Sequence, residues 1–250
     1  MSELFQSRTI RRAFALAARP ATVIIAAVSS AAAEAPVATY EVTIDNLTKG
    51  QPLTPPVVAT HRAATGIFTV GQPPSFALKE IAENGNLAPM VAQLGADKHV
   101  SDSVAAEAPL VPAGLPSSAM FGKSVTLTLT ASKGANFLSW VSMLVCTNDG
   151  FTGVDSLRLP KDVGDRVVVQ SVGYDAGTEV NTEDFADIVA HCQEFVGVCS
   201  GDPGTSTSNP ALAEGGVIHD HPGIAGSADL VPAIHGWTDP VAEITVERVG

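Results

Sequence analysis

Residues 40–45, Tyr40-Glu41-Val42-Thr43-Ile44-Asp45, decide the fold. Tyr40, Val42 and Ile44 fall on one face of an extended chain and Glu41, Thr43 and Asp45 on the other, because successive strand side chains point to opposite sides. Such alternation predicts a strand half buried against a core. The same period recurs where Val125, Leu127 and Leu129 oppose Thr126, Thr128 and Thr130. It returns near the end, where Ala242, Ile244 and Val246 alternate with Glu243, Thr245 and Glu247. Residues 137–145 and 167–172 are more continuously apolar, as in a central strand covered on both faces or a strand edged by loops.

One helix interrupts this pattern. Ser75 follows Pro73-Pro74 and suits an N-cap, Ala77, Leu78, Ile81 and Ala82 form an apolar stripe, and Gly85 supplies a stop. A second short helix is expected over 87–94. Repeated helices between strands, which a parallel α/β fold requires, are missing. The expectation is therefore an all-β fold: one antiparallel β-sandwich with a short helical excursion. The Gly-, Pro- and Ser-rich residues 200–240 read as a long ordered connection or a partly mobile loop.

The 250 residues are 45% hydrophobic and 16% charged, a folded rather than a disordered composition. Lys and Arg number 14 against 26 Asp and Glu, a net charge of −12. Nucleic acid is excluded as a natural partner, since an acidic surface is repelled by phosphate. Bound cations are the better expectation.

Arg8, Arg11 and Arg12, the apolar run 21–28 and Ala31-Ala32-Ala33 read together as an export signal. Arg11-Arg12 also resembles a twin-arginine signal. An amphipathic N-terminal helix belonging to the fold is the alternative. The expected division is thus a signal peptide over 1–33 and one domain over 34–250, with the mature protein periplasmic or secreted from a bacterium. No later segment is long and apolar enough to span a membrane.

Cysteines at 146, 192 and 199 allow one bridge and one thiol. Cys192 with Cys199 is the preferred pair, because the intervening residues can turn at Gly197. Cys146, inside an apolar run, reads as a buried small hydrophobe.

No nucleophile elbow, zincin helix, dinucleotide fingerprint or Walker loop occurs. His219-Asp220-His221 is the one pattern suggestive of transition-metal chemistry, since alternate strand residues share a face. Hydrogen-bonding turn histidines are the plainer reading. The acidic loops are more informative. Asn148, Asp149 and Asp155 follow one apolar run, and Asp175 and Glu179 follow the next strand. Loops at one end of a sandwich can meet, and converging carboxylates repel unless a hard cation such as calcium neutralises them. Solvated turns that cap backbone amides remain the alternative.

The chain also resembles the spondin domain from Tyr40 to Val249. Residues 40–44 resemble its opening strand and residues 75–85 its helix with Ala-Glu-x-Gly. Residues 143–154 resemble its Met-x-x-x-x-x-Asp-x-Phe-x-Gly-Val stretch, and Asp175-Ala176-Gly177-Thr178-Glu179 its D-A-G-T-D signature. His221-Pro222 and the closing strand 240–249 follow in order. The resemblance implies a sandwich similar to calcium-binding lipid-recognition domains. It carries calcium ligands onto Asp149, Asp175 and Glu179, the last a Glu where animal members have Asp, and leaves Asn148 and Asp155 as second-tier candidates. The expected function is a non-enzymatic, exported adhesion or interaction module that binds calcium and an unidentified protein or glycan. The alternative is an exported metal-dependent hydrolase using His219 and His221.

Overall fold

A computed structural model describes residues 37–250. The expected signal peptide lies outside the described residues. Ten strands form two antiparallel sheets. The first contains β1 (Ala38–Asn46), β4 (Ser124–Ala131), β7 (Arg166–Ser171) and β10 (Ala242–Arg248) in the order β4-β1-β10-β7. The second contains β2 (Val57–His61), β3 (Val100–Ala105), β5 (Phe137–Met143), β6 (Gly150–Arg158), β8 (Gly173–Asp175) and β9 (His219–Asp220) in the order β3-β2-β5-β6-β8-β9. The three alternating segments read from the sequence are β1, β4 and β10, and they lie side by side. Val42 stands opposite Val246 and Leu127, and Ile44 opposite Ile244 and Val125, so one apolar face runs across all three.

That face meets the second sheet. Tyr40, Val42, Ile44, Ile244 and Val246 bury against Val58, Leu138 and Trp140 to form the sandwich core. The opposite face of the second sheet is covered as well. Val57, Ala59, Val141 and Met143 turn away from the sandwich core and join Leu78 and Ile81 in a second apolar cluster. Strands β2 and β5 are therefore buried on both faces, which explains the continuous apolar run of 137–143. Residues 166–171 instead form an edge strand whose alternate side chains are half exposed.

The helices cover this outer face. Helix α1 (Phe76–Asn84) begins at Ser75, whose side chain accepts the Leu78 N–H at 3.2 Å, and stops at the left-handed Gly85. Helix α2 (Ala88–Ala96) follows at once. Helix α3 (His191–Val196) lies against the same cluster through Cys192, Phe195 and Val196, and α4 (Pro232–His235) is a single turn. Residues 200–240 are an ordered connection containing β9 and α4.

The disulfide joins Cys146 to Cys192, with Cα atoms 4.9 Å apart, and not Cys192 to Cys199. The reason is helical geometry. Cys192 lies in the first turn of α3 on its buried side, facing the fully buried Cys146 just after β5. Cys199 lies beyond the Gly197 cap, exposed and unpaired. Cys146 is thus a covalent anchor where the sequence suggested an inert apolar residue.

Candidate cation site

Asp149 sits in the turn between β5 and β6. Thr147 shapes that turn: its hydroxyl donates to the Leu144 carbonyl at 2.6 Å and accepts the Gly150 N–H at 2.9 Å. Asp175 ends β8 and is paired in register with Gly150, so the ladder itself sets residues 149 and 175 beside each other. Asp175 then starts a tight turn, its Oδ1 accepting the Gly177 N–H at 2.7 Å. Gly177 has φ +68°, and a Cβ there would lie 2.7 Å from Val217 backbone atoms, so the turn requires glycine.

The turn returns the chain to Asp149. Its Oδ2 accepts the N–H groups of Thr178 and Glu179 at 2.7 and 3.0 Å, and the Thr178 hydroxyl at 3.1 Å. Glu179 Oε1 accepts the Asn209 N–H at 2.7 Å, and Asp175 Oδ2 accepts the Asn181 amide at 2.7 Å. The three acids are only 0, 1 and 3% exposed. Asp149 Oδ1 is buried with no hydrogen-bond partner.

Burial and the neighbouring Asp175 charge push the Asp149 carboxyl up to about 6, against the pull of its three hydrogen bonds. Burial pushes Glu179 up to about 7; the Asn209 hydrogen bond opposes this, and the charges of Glu83 and Asp149 add to it. Holding these groups together as anions is costly, and a positive charge among them would lower that cost. The donor set, all carboxylate oxygen with one buried oxygen left free, fits a hard divalent cation.

In spacing the acids are open: Asp149, Asp175 and Glu179 do not offer three carboxylate oxygens all within 4.8 Å of one another. Among the described residues, the one trio of His, Cys, Asp or Glu whose ligand atoms all lie within 4.8 Å of one another is Asp184, Asp202 and Asp229. That trio is half buried or exposed, and it has local work: Asp184 caps Ala186 and Asp229 accepts the Phe185 N–H.

The second-tier residues separate. Asn148 is buried beside Asp149 and braces the following loop, donating to Thr182 Oγ1 at 3.1 Å. Asp155 lies six residues further on, roughly 15–20 Å along β6 at strand rise. Its Oδ1 accepts the Ile67 N–H at 2.6 Å and the Ser139 hydroxyl at 2.9 Å, so it pins the 67–68 loop and is outside the cation pocket.

The two histidines sit in different surroundings, and His221 Nε2 is buried without a hydrogen-bond partner. His221 Nδ1 accepts the Gly223 N–H at 3.0 Å and its ring lies against Trp237; burial pushes its pKa down to about 4. His219 is half exposed, with Nδ1 3.0 Å from the Val217 carbonyl and 3.8 Å from Asp175 Oδ1. These contacts match the turn-histidine reading. One further constellation looks catalytic on paper: Ser139 Oγ lies 2.7 Å from His61 Nε2 and 2.9 Å from Asp155. Ser139 is fully buried in mid-strand and also accepts the Ser156 N–H, so no substrate carbonyl can reach it.

Two buried acids escaped the sequence reading. Glu183, at φ +59°, accepts the N–H groups of Ala225, Gly226 and Ser227 and the Ser227 hydroxyl, fastening residues 225–227 beside the site. Burial alone would raise its pKa; these hydrogen bonds outweigh burial and lower it. Glu83 is the other, a carboxylate on the covered side of α1, and its i,i+4 spacing from Lys79 was the available signal.

A family model described as Spondin_N matches residues 49–196, which include Glu83, Asp149, Asp175, Glu179 and both bridged cysteines. No curated protein matches the chain. Ordered motifs, the two-sheet sandwich and a match spanning more than half of the sequence agree, and the chain belongs to the spondin N-terminal domain family.

Proposed function

We propose that the protein is an exported, non-enzymatic interaction module in which Asp149, Asp175 and Glu179 hold calcium and thereby set the conformation of the loops that meet a protein or glycan partner. The observation that carries this reading is Asp149: Oδ2 takes three donors from the 178–179 turn, while the equally buried Oδ1 has none. An anionic oxygen buried without a partner is costly, and a cation relieves that cost.

Calcium supplies two positive charges and takes about 6 to 8 oxygens. The chain's own residues do the rest. Asp149 positions the turn through Oδ2 and presents Oδ1. Asp175 fixes the start of the same turn. Glu179, held by Asn209, ties the site to residues 209–213. Export is supported by the Cys146–Cys192 bridge, which belongs to oxidising compartments, and by the charged and apolar pattern of residues 1–33. The non-enzymatic reading is supported by Ser139, which is fully buried in mid-strand.

Thermal denaturation of chelator-treated protein tests the reading. Calcium at a hundred times its Kd stabilises the native state by about 2.7 kcal/mol, and Asp149→Asn removes that gain. An unfolding midpoint indifferent to calcium sinks the proposal, whereas stabilisation by zinc alone brings the histidine stretch and a hydrolytic role forward.

A further inference from the structure

Glu83 is the penultimate residue of α1, and nothing within the helix accounts for it. A carboxylate near a helix C-terminus faces the negative end of the helix dipole. Its side chain is fully buried, and neither Oε1 nor Oε2 has a hydrogen-bond partner. The one opposite charge on it is Lys79, one turn earlier, whose Nζ lies 3.5 Å from Oε1 and whose side chain remains 35% exposed. A buried carboxylate with no hydrogen bond and one partly hydrated counter-ion is poorly compensated.

The residues next to it lead to Glu179. Asn84, the next residue, donates through Nδ2 to Ser208 Oγ at 3.1 Å. The residue after Ser208 is Asn209, whose N–H holds Glu179 Oε1 at 2.7 Å. The end of α1 is therefore fastened to the segment that grips Glu179. The charge of Glu83 acts on Glu179 more strongly than that of Asp149 does, and Lys79 acts on it in the opposite sense. Glu83 and Asp149 are the buried acids with unpartnered carboxylate oxygens among the described residues.

We infer that Glu83 is a fourth carboxylate of the cation pocket and that Lys79 is its counter-ion when no metal is bound. This rests on the reading of the pocket as a calcium site and deepens it. Lys79 and the metal then compete for one carboxylate: cation entry draws Glu83 to the metal and releases the Lys79 ammonium to water. Affinity is set partly from α1, outside the two loops that carry the other three acids, because carboxylate number tunes calcium affinity.

Calorimetric titration of calcium into the chelator-treated protein and four variants is the test. Wild type should take up one calcium and Asp149→Asn none. Glu83→Gln should weaken binding by about tenfold or more, and Glu83→Asp should fall between Glu83→Gln and wild type. Lys79→Met keeps the methylene stem but not the charge, and should tighten binding several-fold. The same samples are melted. Glu83→Gln should melt at or above wild type in chelator yet gain less from calcium, whereas a merely structural Glu83 would lower both midpoints equally. If wild type binds and Asp149→Asn does not, wild-type affinity in Glu83→Gln overturns the role of Glu83 alone. If wild type binds no calcium, the pocket reading falls and this inference falls with it.

Discussion

Asp149 Oδ2 accepts the backbone N–H of Glu179 at 3.0 Å, so one acid of the pocket shapes the turn that carries another. The arrangement concentrates negative charge: Asp175 raises the pKa of Asp149, and Asp149 raises that of Glu179. Burying these groups together costs stability, a cost that the proposed cation would relieve.

The pH dependence of the cation-free protein follows from opposing groups. Glu179 in the folded state titrates at about 7 and Asp149 at about 6, both above their ordinary values of 4.5 and 3.8, so stability from their protonated forms is fully present below about pH 4 and lost as pH rises to about 7. His221 is pushed down to about 4, so unfolding takes up a proton below its ordinary value of 6.5 and stability falls on that side. Between about pH 4.5 and 6 the two acids outweigh the one histidine, so urea midpoints measured in chelator should peak at about pH 4 to 4.5 and fall toward pH 7. Calcium should move the peak upward, and Glu179→Gln should flatten the alkaline side. A midpoint that rises steadily from about pH 4.5 to 7 without calcium would contradict the buried-acid account.

The Cys146–Cys192 bridge closes a loop of 46 residues around β6, β7 and β8 and ties α3 to the turn preceding Asp149. Chain-entropy arguments assign such a loop about 4 kcal/mol. Replacing both bridged cysteines by alanine should therefore lower unfolding free energy by that order, whereas Cys199→Ala should leave it unchanged. Denaturant titrations under non-reducing conditions decide it, and equal costs at 192 and 199 would refute the pairing.

Glu183 holds residues 225–227 through four hydrogen bonds and, through its carbonyl, accepts the N–H groups of Asp229 and Leu230. Glu183→Ala removes the charged acceptor of residues 225–227, which are themselves exposed and can turn to water, and should cost about 1.5–3 kcal/mol. Amide exchange should quicken at 225–227 with little change in the first sheet. Uniform loss of protection across both sheets would mean that the clasp is not local.

Asp155 serves as a contrast. Asp155→Asn should loosen the Ile67–Phe68 loop and destabilise the protein by about 1–2 kcal/mol, since a charge-assisted hydrogen bond to the Ile67 N–H is weakened. It should leave calcium affinity untouched. A matching loss of affinity at 155 and 149 would mean that the metal response is a general stability effect.

Much of the fold was legible because its first sheet is simple. β1, β4 and β10 each bury one face, and alternation states that directly; Ser75 and Gly85 likewise announce α1. The disulfide was misread because short sequence spacing favoured Cys199, while the partner choice depended on which side of a six-residue helix faces β5. Asp149, Asp175 and Glu179 were readable as acids after strands, and the β6–β8 ladder is what makes Asp149 and Asp175 neighbours. Glu83 and Glu183 were not legible. A Glu one turn after a Lys in an amphipathic helix reads as half of a solvent-facing ion pair, and Glu183 acquires its meaning from a loop more than forty residues away.

The most direct test of the account is a crystal structure of the protein grown with calcium, with the ion placed by its anomalous signal. The account predicts one ion bonded to Asp149 Oδ1 at about 2.3–2.6 Å, with Asp175 and Glu179 oxygens in its coordination shell. An ion at Asp184, Asp202 and Asp229 with the Asp149 pocket empty, or no ordered ion at all, would contradict it.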